Sequence, residues 1–90
     1  MKMEEVEKWC RDHRVVARGV VRGAEFTISQ DGTGNPTVHS PVQDIFHWEL
    51  HIAGSRYPCS PSDMERLVTG KMTVDDFVKI MGPREGRRSE

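Results

Sequence analysis

The sequence lacks a long hydrophobic run, has only two cysteines and carries no excess of charge of either sign. Each shortage removes a class of protein. No apolar stretch approaches the ~20 residues needed to cross a bilayer, so a membrane-spanning role is not expected. Thirteen Lys and Arg against fourteen Asp and Glu leave a net charge of -1. Dedicated nucleic-acid binders carry a strong basic excess, and polybasic segments mark anionic membrane surfaces; neither partner is expected here. The N-terminal MKMEEVEKWCRDH is charged throughout. It has no apolar h-region, so a secretory signal is not expected and the cytoplasm is the expected location. There Cys10 and Cys59 should be reduced rather than bridged. The chain also has no Gly-rich phosphate loop, nucleophile elbow or paired-carboxylate motif. Ser40, Ser55 and Ser60 have no base at a telling spacing. An enzyme is therefore not the first expectation, and no cofactor is implied.

What is present suits one small globular domain: 90 residues, 36% hydrophobic and 30% charged. Met3, Val6, Cys10 and His13 recur at spacings of three and four, with Trp9 beside them, and predict an amphipathic helix over 3–13. Glu4 and Glu5 suit its positive end. Valine pairs and the glycines Gly19 and Gly23 favour a strand over 15–22. Residues 24–29 alternate, with Ala24, Phe26 and Ile28 on one face. The following QDGTGNPTVHSP carries turn dipeptides, and a hairpin turning at 31–35 with Thr37–His39 as a return strand is narrowly favoured over a ligand-touching loop.

The firmest strand is 45–52, where Phe46, Trp48, Leu50 and Ile52 point one way and Ile45, His47, Glu49 and His51 the other. Ala53-Gly54-Ser55 turns the chain, and Arg56–Cys59 returns as its partner. Ser60 then caps a helix with Pro61 at its first position and Asp63 near its positive end. Met64, Leu67 and Val68 form its inner face, and Gly70 ends it in a left-handed conformation. Thr73 with Asp76 opens another helical turn or two, in which Val74, Phe77, Val78 and Met81 are the buried candidates. Gly82-Pro83 is expected to stop that helix, leaving 83–90 as a polar, disordered tail outside a 1–82 domain. The expected fold is α+β: a small antiparallel sheet of three to four strands against an N-terminal helix and two short C-terminal helices.

Four constellations invite a chemical reading. His47, Glu49 and His51 share a strand face, and His-x-Glu resembles part of a two-histidine, one-carboxylate metal site. At ~3.3 Å per residue the two histidines lie roughly 13 Å apart, too far to ligate one ion together. Only a neighbouring pair on the strand could chelate, with His47 and Glu49 as the candidates and His13, His39 or Cys59 supplied from elsewhere. A polar sheet face is the simpler reading, and it makes His47, Glu49, His51 and Arg56 the candidate binding residues. Cys59 precedes a helix N-terminus, which can lower a thiol pKa, and is the one candidate nucleophile; core packing is the simpler reading for it and for Cys10. Residues 61–81 allow a helix-turn-helix, but Asp75 and Asp76 at the leading end of the second helix would repel a phosphate backbone. Arg84, Arg87 and Arg88 could hold an anion, but Glu85 and Glu90 dilute them.

The run Leu50-His51-Ile52-Ala53-Gly54, followed by Cys59-Ser60-Pro61-Ser62-Asp63-Met64-Glu65-Arg66-Leu67-Val68-Thr69-Gly70, resembles the N-terminal part of the formate dehydrogenase accessory sulfurtransferase (FdhD) family. That family carries a strand ending near a Gly, then Thr/Ser-Pro-x-Asp-Leu-Glu-x-Leu with a closing Gly. Asp75-Asp76-Phe77 is similar to a later family segment, so the likeness spans about 35 residues near 45–80. Family members look like sulfur carriers in molybdenum-cofactor maturation that use a Cys-x-x-Cys loop. This sequence has no such loop, nor the Glu-Gly-Ile-Ile stretch after Gly70. The resemblance therefore implies a shared subdomain with a partner-docking or accessory role in molybdoenzyme maturation. A small sheet with unpaired edges can also add a strand from a partner or a second copy, so a protein partner or homodimer is expected. The rival expectations are a thiol- or metal-dependent small enzyme built on Cys59 or His47/Glu49, and a regulatory nucleic-acid-binding protein.

Overall fold

Two tight hairpins organise the chain, and each is made by a residue pair able to hold positive φ. The computed structural model describes residues 2–29, 32–34 and 44–88. Helix α1 (Met3–His13) leads into strands β1 (Val16–Val21) and β2 (Ala24–Ile28). Strands β3 (Ile45–Ile52) and β4 (Ser55–Cys59) follow, then helices α2 (Pro61–Val68) and α3 (Val74–Arg88). Arg22 and Gly23, at φ 52° and 82°, join β1 to β2; Ala53 and Gly54, at φ 52° and 86°, join β3 to β4. Two-residue loops with both φ positive match the right-handed twist of the strands they link. All pairings are antiparallel and the strand order is β2-β1-β3-β4, so the hairpins meet along β1 and β3. This is the α+β sheet-and-helix fold the sequence predicts, with four strands among the described residues.

The helix ends follow local chemistry. The Lys2 backbone N–H donates to the Glu5 carboxylate at 2.8 Å, closing the start of α1. Arg14 adopts the left-handed conformation at its end, and the Val15 N–H reaches the Cys10 carbonyl at 2.9 Å. Ser60 caps α2 by accepting the Asp63 N–H at 3.1 Å, and Thr73 caps α3 by accepting the Asp76 N–H at 3.0 Å. Gly70 has the expected positive φ of 83°. Helix α3 runs on to Arg88 rather than stopping at Gly82-Pro83. Pro83 lacks the N–H that would have bonded to the Lys79 carbonyl, so the helix passes through this position with one backbone hydrogen bond missing.

One face of the sheet holds the core. Its cross-strand rows are Ile28-Ala17-Leu50-Tyr57 and Phe26-Gly19-Trp48-Cys59. Small Ala17 and Gly19 lie on central β1 beside large Leu50 and Trp48, so volumes alternate across the row. Trp48 is fully buried and meets the Phe26 ring edge-on at 5.4 Å. Its indole N–H has no hydrogen-bond partner among the described residues. Val6, Trp9 and Cys10 of α1, Met64 and Leu67 of α2, and Phe77 of α3 complete this cluster. Phe77 packs against Tyr57 at 5.9 Å.

The inner face of β3 differs from the alternation expected of it. Gly19 pairs with Trp48 but Val21 pairs with Ile45, so two steps on β1 span three on β3. This bulge turns Ile45 into the core, where it is 2% exposed, and turns Phe46 outward, where it is 78% exposed. The strict period of two holds only from Trp48 onward. The expected return strand Thr37–His39 lies outside the described residues. The partner that β2 does have is β1, through the Arg22-Gly23 turn, with one further bridge between Ile28 and Gly34.

Candidate functional site

The second face of the sheet has none of the core cluster on it and gathers most of the polar residues singled out above. Register places Thr27, Arg18, Glu49 and Pro58 in one row across the four strands. The next row is Val16, His51 and Arg56. Beyond the first row, toward the bulge, lie Glu25 and Val20, with Phe46 and His47 of the bulged segment. An open depression of about 210 Å³ lies here, lined by Arg18, Val20, Glu25, His47 and Glu49.

Glu49 is the hub of this face. Its Oε1 accepts from His51 Nε2 at 3.0 Å, the expected contact for residues two apart on one strand face. Hydrogen bonding to His51 holds its carboxyl below the usual range and outweighs partial desolvation, and the Arg56, His51 and Arg18 charges add to the lowering. Of the four candidate binding residues, Glu49, His51 and Arg56 therefore come together. His47 lies nearer the bulge. Arg18 belongs to the cluster as well. Its only sequence signal was the Val16-x-Arg18-x-Val20 alternation of β1, which carries no information about its partner strand.

No group of three His, Cys, Asp or Glu among the described residues could hold a metal ion. Glu49 spends a carboxylate oxygen on His51 rather than facing His47 alone, and His39 lies outside the described residues. Cys59 is 2% exposed, and burial, with the Asp63 charge beside it, pushes its thiol up to about 12. The helix N-terminus that could have activated it is outweighed by desolvation and that carboxylate. Its Sγ–H donates to the Ser60 carbonyl at 3.5 Å. Cys10 is likewise buried and raised to about 12 by burial and then Glu7. Both are free thiols. They stay protonated at neutral pH, which suits packing and not nucleophilic attack.

The sheet edges are less open than the face. In a two-residue hairpin the flanking pair Ile52–Ser55 exchanges both hydrogen bonds, and pairs alternate from there. Glu49–Pro58 then falls at a non-bonded pair, so the N–H that Pro58 lacks would have pointed away from β3. This is where an edge strand accepts proline, and it removes a donor from any added strand. At the other edge the Ile28–Gly34 bridge occupies part of β2.

A second concavity, a groove of about 440 Å³, lies on the helical side between Trp9, Leu67, Val68, Met72 and Val74. His13 stands at its rim, stacked on Trp9 at 4.7 Å, with Nδ1 donating to the Trp9 carbonyl at 2.9 Å. Among the described residues no helix is long and apolar enough to cross a membrane. Comparison with protein-family models, curated proteins and solved structures finds no match to this chain.

Proposed function

We propose that this chain is a non-catalytic accessory module that binds a protein partner on the uncovered face of its sheet. The observation that carries this reading is the bulge at Phe46. A bulge conserves a core position at Ile45 while presenting a large aromatic ring, 78% exposed, beside Val20 and the Glu49 cluster. An exposed aromatic sharing a face with arginines is the composition enriched at protein interfaces. The buried, protonated state of Cys59 and the absence of a three-ligand cluster among the described residues speak against the thiol and metal enzymes. The likeness of residues 45–80 to the accessory sulfurtransferase family makes maturation of a formate dehydrogenase-type molybdoenzyme the setting in which we place the partner. Cytoplasmic residence belongs to the same proposal.

Capture from native extract tests it, using the wild-type chain, Phe46→Glu and the helical-side control Lys71→Ala. The proposal expects one protein retained by the wild type and by Lys71→Ala and lost with Phe46→Glu, while all three chains stay folded. A second copy of this chain as the retained protein makes the module a homodimer. Capture that is indifferent to Phe46→Glu rejects the face. Persulfide or metal found on the purified chain, and lost in Cys59→Ser or His47→Ala, supports the enzyme instead.

A further inference from the structure

The face that the proposed function uses as a docking surface has a charge pattern that selects its partner, and the following rests on that reading. Arg18 and Arg56 flank Glu49 from opposite sides, Arg18 directly across β1 and Arg56 diagonally on β4. Directly opposed residues stand ~5 Å apart and diagonal ones ~7–8 Å, distances that long arginine side chains span easily. Both guanidiniums act on the Glu49 carboxyl through their charge. Yet neither makes an ion pair or a side-chain hydrogen bond with any described residue; the contact at Glu49 is taken by His51. Glu49 thus lies between two arginines, with Glu25 diagonal to Arg18 as the other carboxylate of the face, and up to ten guanidinium N–H donors are left unspent by the described residues.

We infer that this cluster is a carboxylate-binding site and that the partner presents an acidic side chain to it, with an apolar neighbour against Phe46 and Val20. A carboxylate accepts two parallel bonds from one guanidinium, which gives both energy and orientation. A polyanion suits the face poorly. Glu25 lies on the same face beyond Arg18, and Asp44 borders it in an ion pair with Arg22 at 3.7 Å. A nucleic-acid backbone laid across the sheet would meet Glu25 and Asp44 as well as Glu49, whereas a single Asp or Glu in a folded partner can take the outward N–H groups of one arginine on the side away from Glu49. Three to five residues at ~3.3 Å each separate Phe46 from Glu49 and His51 along β3. The acidic and apolar groups of the partner should therefore be about 10–16 Å apart.

The test is a backbone amide NMR titration of the full chain with four probes. They are a blocked peptide with a glutamate three to five residues from a leucine, its glutamine counterpart, inorganic phosphate and a single-stranded oligonucleotide. Shifts confined to residues around Arg18, Glu49, His51 and Arg56, and around Phe46 and Val20 where the leucine rests, are expected with the glutamate peptide. Its dissociation constant should rise about ten-fold in Arg18→Gln/Arg56→Gln, in line with loss of a charge-assisted bidentate contact. An unchanged unfolding midpoint in that variant keeps the comparison clean. Equal binding of the glutamine peptide, tighter binding of phosphate or oligonucleotide, or shifts elsewhere on the chain would overturn the inference. The native partner separates this failure from that of the docking face. A partner lost with Phe46→Glu but retained by Arg18→Gln/Arg56→Gln sinks the carboxylate site and leaves the face standing.

Discussion

Replacing Gly19 by alanine should destabilise this protein, although alanine is ordinarily the better residue in a strand. A Cβ built at Gly19 lies 2.9 Å from Phe26 Cζ, 3.0 Å from Phe26 Cε1 and 3.3 Å from Ile45 Cγ2. The first contact is shorter than carbon atoms tolerate and the second lies at the limit, so the Phe26 ring must move. It has little room, being 4% exposed and braced edge-on against the fully buried Trp48. Overpacking of this kind costs ~1–3 kcal/mol, and the gain in strand preference on replacing glycine offsets roughly 0.5–1 kcal/mol of it. The net loss is about 1–2 kcal/mol, and for a chain of this size it lowers Tm by roughly 5–15 °C. Urea and thermal unfolding of Gly19→Ala, Phe26→Leu and the double variant measure it. Trimming the ring should relieve the clash, so the double variant should be more stable than the sum of the singles by about 0.5–3 kcal/mol. Strict additivity, or a Gly19→Ala variant as stable as wild type, would refute the cross-strand placement of Phe26 over Gly19.

Three further outcomes follow from other parts of the fold. Ala53 holds φ 52° at the first position of the β3–β4 turn, where asparagine is preferred; Ala53→Asn should add about 0.5–1 kcal/mol in urea unfolding. Cys10 and Cys59 are raised to about 12, so the folded chain keeps protons that the unfolded chain releases near 9. Their contribution is complete below pH 9 and is lost as pH climbs from 9 toward 12. Unfolding measured at pH 10 should show roughly 1–1.5 kcal/mol lost per thiol, an effect absent from Cys10→Ala/Cys59→Ala, and native thiols should resist a thiol reagent until the chain unfolds. Glu49 has its carboxyl lowered, so the unfolded chain protonates first on acidification. Its stabilising share is present above the ordinary carboxylate value and is lost as pH falls through the lowered one. Glu49→Gln should flatten that part of the acid limb, modestly because the group faces solvent.

The elements readable in the sequence are those whose signals are local. Helix α1, strand β3 and the Ser60-capped start of α2 each rest on periodicity or capping within about ten residues, and each lies where those signals put it. What escaped depends on which strand pairs with which. The β1–β2 hairpin turns on Arg22, a residue with no particular liking for positive φ, so the turn left little trace in composition. The bulge adds one residue to β3, and a period-two reading carried across it necessarily assigns Ile45 and Phe46 to the wrong faces. The candidate site was legible as a polar face at Glu49 and His51 with Arg56. Its fourth member, Arg18, joins through a pairing between segments some thirty residues apart, which no local pattern records. The state of Cys59 likewise depended on burial and on Asp63, not on its position before a helix.

The free energy of unfolding of Phe46→Ser, set beside that of Ile45→Ser, tests most directly whether the second sheet face is held open for a partner. A ring pointing into solvent contributes little to folding, so Phe46→Ser should lie within about 0.5 kcal/mol of wild type. Ile45→Ser, which removes a buried side chain and leaves a hydroxyl in its place, should lose about 3 kcal/mol or more. A loss of core size in Phe46→Ser, with Ile45→Ser nearly neutral, would turn the strand over and take the docking face with it.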